Sequence, residues 1–469
     1  MNQAAEAGLS GARGMGQTAA WGDFNGDGLQ DLVVGSFHTK SRNIFLFKNN
    51  GDGTFSDVTK SSGLRDTRSR AVAWGDYNND GHLDLAIGTI MAGAPPLVYK
   101  NASGASFVEV SEGAGITRKG GVIYHIAWVD FNGDGFLDLF QANDGVSYLY
   151  RNNRDGTFTE VSSEVGLGKP LRTKSAIWFD YNNDGFSDLF LANNGLNRLF
   201  MNKGGQSLID VTAKAGVAGD QKWHSVSTCA GDINGDGYMD LYVGNITSER
   251  NALYLNNGDG TFVDVTLKSG TGDVGDARSC AMVDFDADGR LDIMSTNHLS
   301  PTLLYRNSGG GRFTEVGTRV GVKVPVDVFS TTWGDYNRDG FMDAFQIGHM
   351  GEALFRNKGS ANNSLILKLV GNGRRTNVSA IGARVEVKSP AGMQIREVSG
   401  GKGCCEQDML PVHFGLGRDS RADIVVKWSG GGSCIFKGVD VKGGKLFSVK
   451  EDGCAITTDI TTDAKAPGG

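Results

Sequence analysis

Residues Asp130 to Asp138 read DFNGDGFLD, with side-chain oxygens at the first, third, fifth and ninth places (Asp130, Asn132, Asp134, Asp138) and Gly133 and Gly135 between them. A hard cation takes several oxygen ligands at once, and a short loop with a donor at every second residue wraps them around one point. The spacing follows an EF-hand loop up to its glycine, but an Asp at the ninth place stands where an EF-hand continues to a Glu at the twelfth. Flanking helices are therefore not expected.

Asp, Asn and Gly clusters are also ordinary turn chemistry, so the repetition matters more than the motif. Seven copies begin at Asp23, Asp76, Asp130, Asp180, Asp232, Asp284 and Asp335, with steps of 53, 54, 50, 52, 52 and 51 residues. The third place holds Asn25, Asn78, Asn132, Asn182, Asn234, Asp286 and Asn337, and the fifth Asp27, Asp80, Asp134, Asp184, Asp236, Asp288 and Asp339. The ninth holds Asp31, Asp84, Asp138, Asp188, Asp240, Asp292 and Asp343, a recurrence that a plain polar turn does not ask for. The pattern predicts about seven Ca2+ sites, one per repeat.

A period near fifty residues is a repeat architecture and decides the fold before any domain count. In the second copy, Ala71 to Asp76 alternates into the loop, Leu83 to Gly88 leaves it, and Pro96 to Lys100 and Phe107 to Val110 make two further strands. Glycine-bearing turns such as Asn49 to Phe55 (NNGDGTF) join the third strand to the fourth. Four strands per unit, seven times, predicts an all-β, seven-bladed β-propeller over residues 1–360. Trp21, Trp74, Trp128, Trp178 and Trp333, each two places before its loop, are expected to pack between blades. The seventh unit ends at Arg356 and Asn357 without a fourth strand, so the first residues are expected to complete the last blade.

The net charge is −7, yet three Asp in each loop plus Asp286 take 22 of the 53 acidic residues, and the rest of the chain is basic. Those Lys and Arg are scattered rather than gathered into a stripe, which argues against nucleic acid. No run of apolar residues is long enough for a membrane-spanning helix. The opening AAEAGLS matches the ends of later units such as Thr212 to Val217 (TAKAGV), so a trimmed start and a removed signal peptide are expected.

The period, the DxNxDGxxD loops and the NGDGTF turns resemble the FG-GAP or VCBS repeats of integrin α-subunit propellers and many secreted bacterial proteins. Beyond them, Ala380 to Val387 (AIGARVEV), Arg396 to Gly401 (REVSGG), Val412 to Gly417 (VHFGLG) and Val425 to Gly430 (VVKWSG) resemble the ASPIC/UnbV domain. That pairing is similar to the cartilage acidic protein family and its bacterial relatives. The resemblance implies a secreted, extracellular or periplasmic protein, acting as a monomeric binding or adhesion scaffold, with a protein or glycan partner on the face opposite the calcium loops. Adjacent Cys404 and Cys405 depart from the expected pattern, as does a proline missing from Ser429 to Gly432.

Residues 361–453 alternate as about seven short strands and read as a small β-sandwich or barrel. Residues 454–469 have little to bury and read as a disordered tail. Cys229 and Cys280, in first strands, are expected as buried thiols. Cys404, Cys405, Cys434 and Cys454 are expected to form two disulfides, with zinc ligation as the alternative.

Several residues break the repeat register on the face opposite the loops. They are His125 and the Trp223–His224 pair on first strands, with His38, Asp144, His298 and His349 just past second strands. Histidines converging near the axis could hold a transition metal or act as acid and base, which keeps an enzyme of the lyase or cyclase type as the alternative function. The plainer alternative is loop histidines bonded to backbone. Asn101, Asn245, Asn362 and Asn377 open N-x-S/T sequons compatible with a surface.

Overall fold

The computed structural model describes residues 2–9, 16–37, 43–91, 93–118, 121–322, 327–349 and 351–458. Strands Gly16–Gly22, Ser69–Gly75, Ile123–Val129, Leu171–Phe179, Ser225–Gly231, Asp276–Val283 and Val328–Gly334 each start an antiparallel sheet whose strands follow in chain order. Each of these first strands packs on the next, and Val328–Gly334 packs back on Gly16–Gly22. Seven blades thus close into a ring. Blades three and four are also joined edge to edge, Asp144 opposite Arg172 and Gly145 opposite Leu171.

The last blade has three long strands, Val328–Gly334, Asp343–Gly348 and Gly351–Phe355. Its edge is taken by the N-terminus: Asn2 bridges Phe355, and the Gln3 N–H donates to the Leu354 carbonyl at 2.9 Å. This is the expected closure, limited to a short bridge.

Blade stacking follows from the residue pair at the end of each first strand. The Trp74 ring stacks on Phe24 of the preceding loop, and its Nε1 donates to the Ala20 carbonyl at 3.3 Å. Trp128 repeats the arrangement on Tyr77, and Trp21 on Tyr336 across the closure. The following residue is small because the next ring needs the room. A Cβ at Gly22 would lie 2.7 Å from the Trp74 ring, and one at Gly75 2.6 Å from Trp128.

Four single-turn helices, Ser162–Val165, Thr212–Ala215, Thr266–Ser269 and Gly317–Val320, follow fourth strands. Sequence reading gave no helix there, since four residues carry no helical period. Each ends at a glycine in the left-handed region, such as Gly166 at φ 103°.

Residues from Asn363 onward form two four-stranded sheets. One holds Asn363–Val370, Val412–Gly417, Lys445–Lys450 and Ala455–Thr458; the other holds Arg384–Ser389, Gly392–Glu397, Arg421–Lys427 and Ser433–Asp440. Leu365, Leu367, Val385, Val387, Phe414, Ile424 and Val426 from the two sheets share one core, so the module is a sandwich. The tail expectation is corrected in part: Ala455–Thr458 pairs with Lys445–Lys450, and residues 459–469 lie outside the described residues.

The cysteine expectation is also corrected. Cys434 and Cys454 form one disulfide, while Cys404 and Cys405 are buried thiols remote from it. Cys229 and Cys280 are buried thiols as expected, facing each other between blades five and six. Closing a loop with a sequence separation of 20 residues predicts that Cys434→Ser weakens the module by about 3 kcal/mol. Denaturant unfolding with and without reductant checks this; equal midpoints would refute it.

Candidate functional site

The loops share one geometry. In blade three the Asp130 carboxylate accepts the N–H groups of Asp134 and Gly135, both at 3.0 Å, and Asp134 accepts that of Phe136 at 3.0 Å. The ninth residue is fully buried. Asp138 accepts the Phe131 N–H at 3.2 Å with one oxygen and the Asn152 N–H at 2.8 Å with the other. The recurrence of that Asp therefore has a structural cause besides a cation: it ties its loop to the third strand.

Asn152 extends the tie between blades. Its Nδ2 donates to the Leu137 carbonyl of its own blade at 3.0 Å and to Tyr77 of the preceding loop at 2.8 Å. Asn49, Asn101, Asn202, Asn256, Asn307 and Asn357 do the same in the other blades, and Asn49 reaches Tyr336 across the closure. Sequence reading missed this set. Its signal was the Asn at or near the end of every third strand, in runs such as LYRN and LFMN. The set also removes Asn101 as a glycan acceptor, and Asn245 and Asn377 are likewise buried in local bonds.

The loop carboxylates fit a hard cation. Asp23 Oδ1, Asp286 Oδ1 and Asp343 Oδ2 are buried without a hydrogen-bond partner among the described residues, and oxygens of Asp284, Asp286 and Asp292 lie within 4.8 Å of one another. Burial, with neighbouring carboxylates adding to it, raises Asp188 to about 9 and Asp130 to about 7. Basic side chains offset part of the charge in five blades, as with Arg154 at 3.0 Å from Asp134 and Lys100 at 3.6 Å from Asp80.

The module sits on this loop face. Lys368 reaches Asp23 at 3.3 Å, and the Asp76 N–H donates to Ser379. Arg384 donates to the Asn183 side chain and the Gly237 carbonyl, both at 2.6 Å. Arg396 is half-buried beside Asp232 and Asp284, and His413 lies 3.2 Å from the Gly340 carbonyl. Cations on the module thus meet acids on the propeller.

Residues 399–409 leave the module and run into the propeller axis, where they meet all seven first strands. The Trp128 N–H donates to Gly400, the Gly403 N–H to Thr228, the Ser175 hydroxyl to Gly403, the Val72 N–H to Cys405 and the Met409 N–H to Trp333. Ser279 bonds Glu406. Gln407 is held on four sides. Its backbone pairs with Ala19 and Trp21, its Oε1 accepts the Trp74 N–H at 2.7 Å, and its Nε2 donates to the Trp74 carbonyl at 3.0 Å. Lys402, also buried, forms an ion pair with Asp408 at 2.5 Å. The axis is therefore plugged from the loop side.

At the far end the plug turns at Cys404 and Cys405, which floor a cavity of about 170 Å³ walled by Arg70, Tyr124, Lys174, Arg278 and Phe329. Arg70 lies 4.2 Å and Lys174 3.8 Å from the Tyr124 ring centre, and Arg278 5.5 Å from that of Phe329. A hydrogen bond from Cys405, with Arg70 and Arg278 nearby, holds the Cys404 thiol below the usual thiol range. Arg70, Lys174 and Arg278 were not singled out from the sequence, because residues from three blades converge only once the ring closes.

The histidines expected to converge are separated. His125 is fully buried against the backbone of Gly403 and Cys404, and burial lowers it to about 4, so the plug removes it from the ligand face. Trp223 and His224 belong to a seam between blades, His224 bridging Asn194 and lying 3.5 Å from Glu249. Asp144 pairs with Lys174 at 2.8 Å and Arg172 at 3.7 Å. Only His298 and His349 come together, around Asp327. His38 lies outside the described residues.

Residues 13–87, 130–191, 180–243, 232–295 and 284–345 match the family described as FG-GAP-like repeat, and residues 373–454 match ASPIC and UnbV. Among curated relatives, Cartilage acidic protein 1 of Xenopus tropicalis is 26% identical over 304 residues, covering 45% of this chain and 46% of that protein. The Mus musculus protein of the same name is 27% identical over 457 residues, 87% of this chain and 60% of its own. The chain thus spans about half the length of the curated relatives it matches. Among solved structures, an Agrocybe aegerita lectin specific for non-reducing terminal N-acetylglucosamine aligns at a TM-score of 0.44 and 23% identity, over 64% of this chain and 79% of that one.

Proposed function

Because the chain belongs to the FG-GAP-like repeat family and ends in an ASPIC and UnbV domain, we propose that it is an extracellular, calcium-loaded scaffold that binds a protein or glycan on the propeller face opposite its loops. One observation carries the placement. The module covers the loop face and plugs the axis, which leaves the cavity floored by Cys404 and Cys405 as the concave end open to a partner.

Calcium's part in this reading is structural. Asp130, Asn132, Asp134 and Asp138, with their equivalents in the other six blades, would hold one ion each. An ion offsets the repulsion of three carboxylates in one short loop. Three carboxylates against one divalent ion leave a net negative charge on each loop, larger in blade six where Asp286 adds a fourth, and this still suits Lys368, Arg384 and Arg396 of the module. A disulfide from the buried Cys434 to the exposed Cys454 fits an oxidising compartment.

The chemistry of the open end favours an anionic group. Arg70, Lys174 and Arg278 line it with cationic side chains, Lys174 also paired with Asp144 and Arg278 with Asp276, and Tyr124 and Phe329 pack against them. A carboxylate or sulfate on a protein or glycan would meet both charge and a planar donor fork. The lyase or cyclase alternative rested on a histidine cluster that the structure divides among three environments.

The test is an array of anionic and neutral glycans and peptides probed with the full chain and with Arg70→Ser and Arg278→Ser. Retention of anionic ligands by the wild type, with a loss of about tenfold or more in each variant at unchanged melting, is expected. Equal retention by variant and wild type would place the working surface elsewhere.

A further inference from the structure

We infer that His298, Asp327 and His349 form a binding site for a divalent transition ion, zinc being the best fit, on the rim between blades six and seven. His298 ends the second strand of blade six, Asp292–His298. His349 follows the second strand of blade seven, Asp343–Gly348, and Asp327 precedes that blade's first strand. Three residues far apart in the chain thus meet where two blades adjoin.

The donor atoms converge. His298 Nδ1 lies 2.5 Å from one Asp327 oxygen and His349 Nδ1 lies 3.4 Å from the other, all three ligand atoms falling within 4.8 Å of one another. Ligands about 2.0–2.1 Å from a tetrahedral zinc stand roughly 3.4 Å apart; His349 Nδ1 and its Asp327 oxygen already stand at that separation, and His298 Nδ1 has to draw back from the other oxygen by roughly 0.9 Å to share the ion. His298 Nδ1 is buried close to a carboxylate yet is not aligned to bond it, and it has no other hydrogen-bond partner among the described residues. A ring nitrogen aimed beside its neighbour rather than at it is what a shared third point requires.

The surroundings hold this arrangement. The Phe329 ring stands edge-on to His349 at 4.7 Å and tilted to His298 at 5.2 Å, filling the space behind both. The Asp327 backbone is fixed by the His349 N–H, which donates to its carbonyl at 3.1 Å. Asp327 and Leu299 are both in the left-handed region, at φ 66° and 62°, a conformation that is uncommon for non-glycine residues and clusters at functional positions.

Donor type decides the ion. Two imidazoles and one carboxylate suit zinc and its first-row neighbours, whereas calcium takes oxygens alone. The site is therefore chemically separate from the seven loops. The three side chains are 19%, 18% and 25% exposed, so a fourth position is open to water or to an outside ligand. Ion binding replaces the protons on the two Nδ1 atoms and pins blade six to blade seven.

The experiment uses the full chain in excess calcium, so that the loops are saturated, and measures zinc by equilibrium dialysis alongside the visible absorption of added Co2+. One zinc per chain is expected, with a cobalt band of tetrahedral intensity that zinc displaces. His349→Ala and Asp327→Asn should each weaken binding beyond the roughly 10–100-fold that loss of an outer-shell partner costs, while His224→Ala leaves it unchanged. Near-ultraviolet circular dichroism identifies any variant that fails to fold; Asp327→Asn keeps the side-chain shape and stands in for it. No zinc above the calcium-blocked background, or zinc retained in both variants, would overturn the inference. Because the readout is metal alone, its failure is separate from failure of the partner-binding face.

Discussion

Chelation of calcium is expected to lower the melting temperature by about ten degrees and to loosen the module together with the propeller. Each site contributes about 1.4 kcal/mol when free calcium is ten times its dissociation constant, so seven sites together reach about 10 kcal/mol. In a protein of this size one kcal/mol moves the midpoint by roughly one degree. The module shares the loss because Lys368, Ser379, Arg384 and Arg396 rest on the loops themselves. Asp134→Ala should remove one ion and a correspondingly small share of the shift. Differential scanning calorimetry with calcium and with chelator checks both, and a curve indifferent to chelator would contradict them.

The second large effect is expected at Lys402. Its ammonium is buried in the axis beside Asp408 and Glu406, and burial raises Glu406 well above the usual carboxylate range. Removing one member of a buried charge group strands the others, which costs about 3–5 kcal/mol. Lys402→Met keeps the stem and deletes the charge, so it should destabilise by that amount. The propeller and module should still unfold in one transition, since the plug bonds to all seven blades. Guanidinium unfolding followed by both tryptophan fluorescence and circular dichroism checks this. Two separate transitions in the wild type would mean that plug and ring are not one cooperative unit.

The blades were legible because each is specified locally. A loop motif, a Trp two places before it and a glycine-bearing hairpin recur within fifty residues, and the strands fall within a few residues of where the alternation puts them. The ninth-place Asp and the Asn at or near the end of each third strand were visible as repeats, yet the bond between Asp138 and Asn152 appears only when the sheet forms. The plug was not legible. Ser399 to Met409 carries no period, and its partners are backbone groups and hydroxyls of seven strands spread over more than three hundred residues. The same holds for the ligand face. A break in repeat register marked His125 and His298 alike, but one lies beneath the plug and the other on the rim, a difference set by a segment from another domain. Asp327 escaped notice because a single acid ahead of a first strand resembles any loop residue until His298 and His349 stand beside it.

The division of the molecule into a covered face and an open one depends on residues 399–409 occupying the axis, and hydrogen exchange of their backbone amides measures that directly. Gly403, Gln407 and Met409 donate to Thr228, Ala19 and Trp333 inside the ring. In calcium these amides should exchange as slowly as those of the first strands, and chelator should speed both together. Exchange at the rate of an exposed loop, in calcium and in intact protein, would contradict the account.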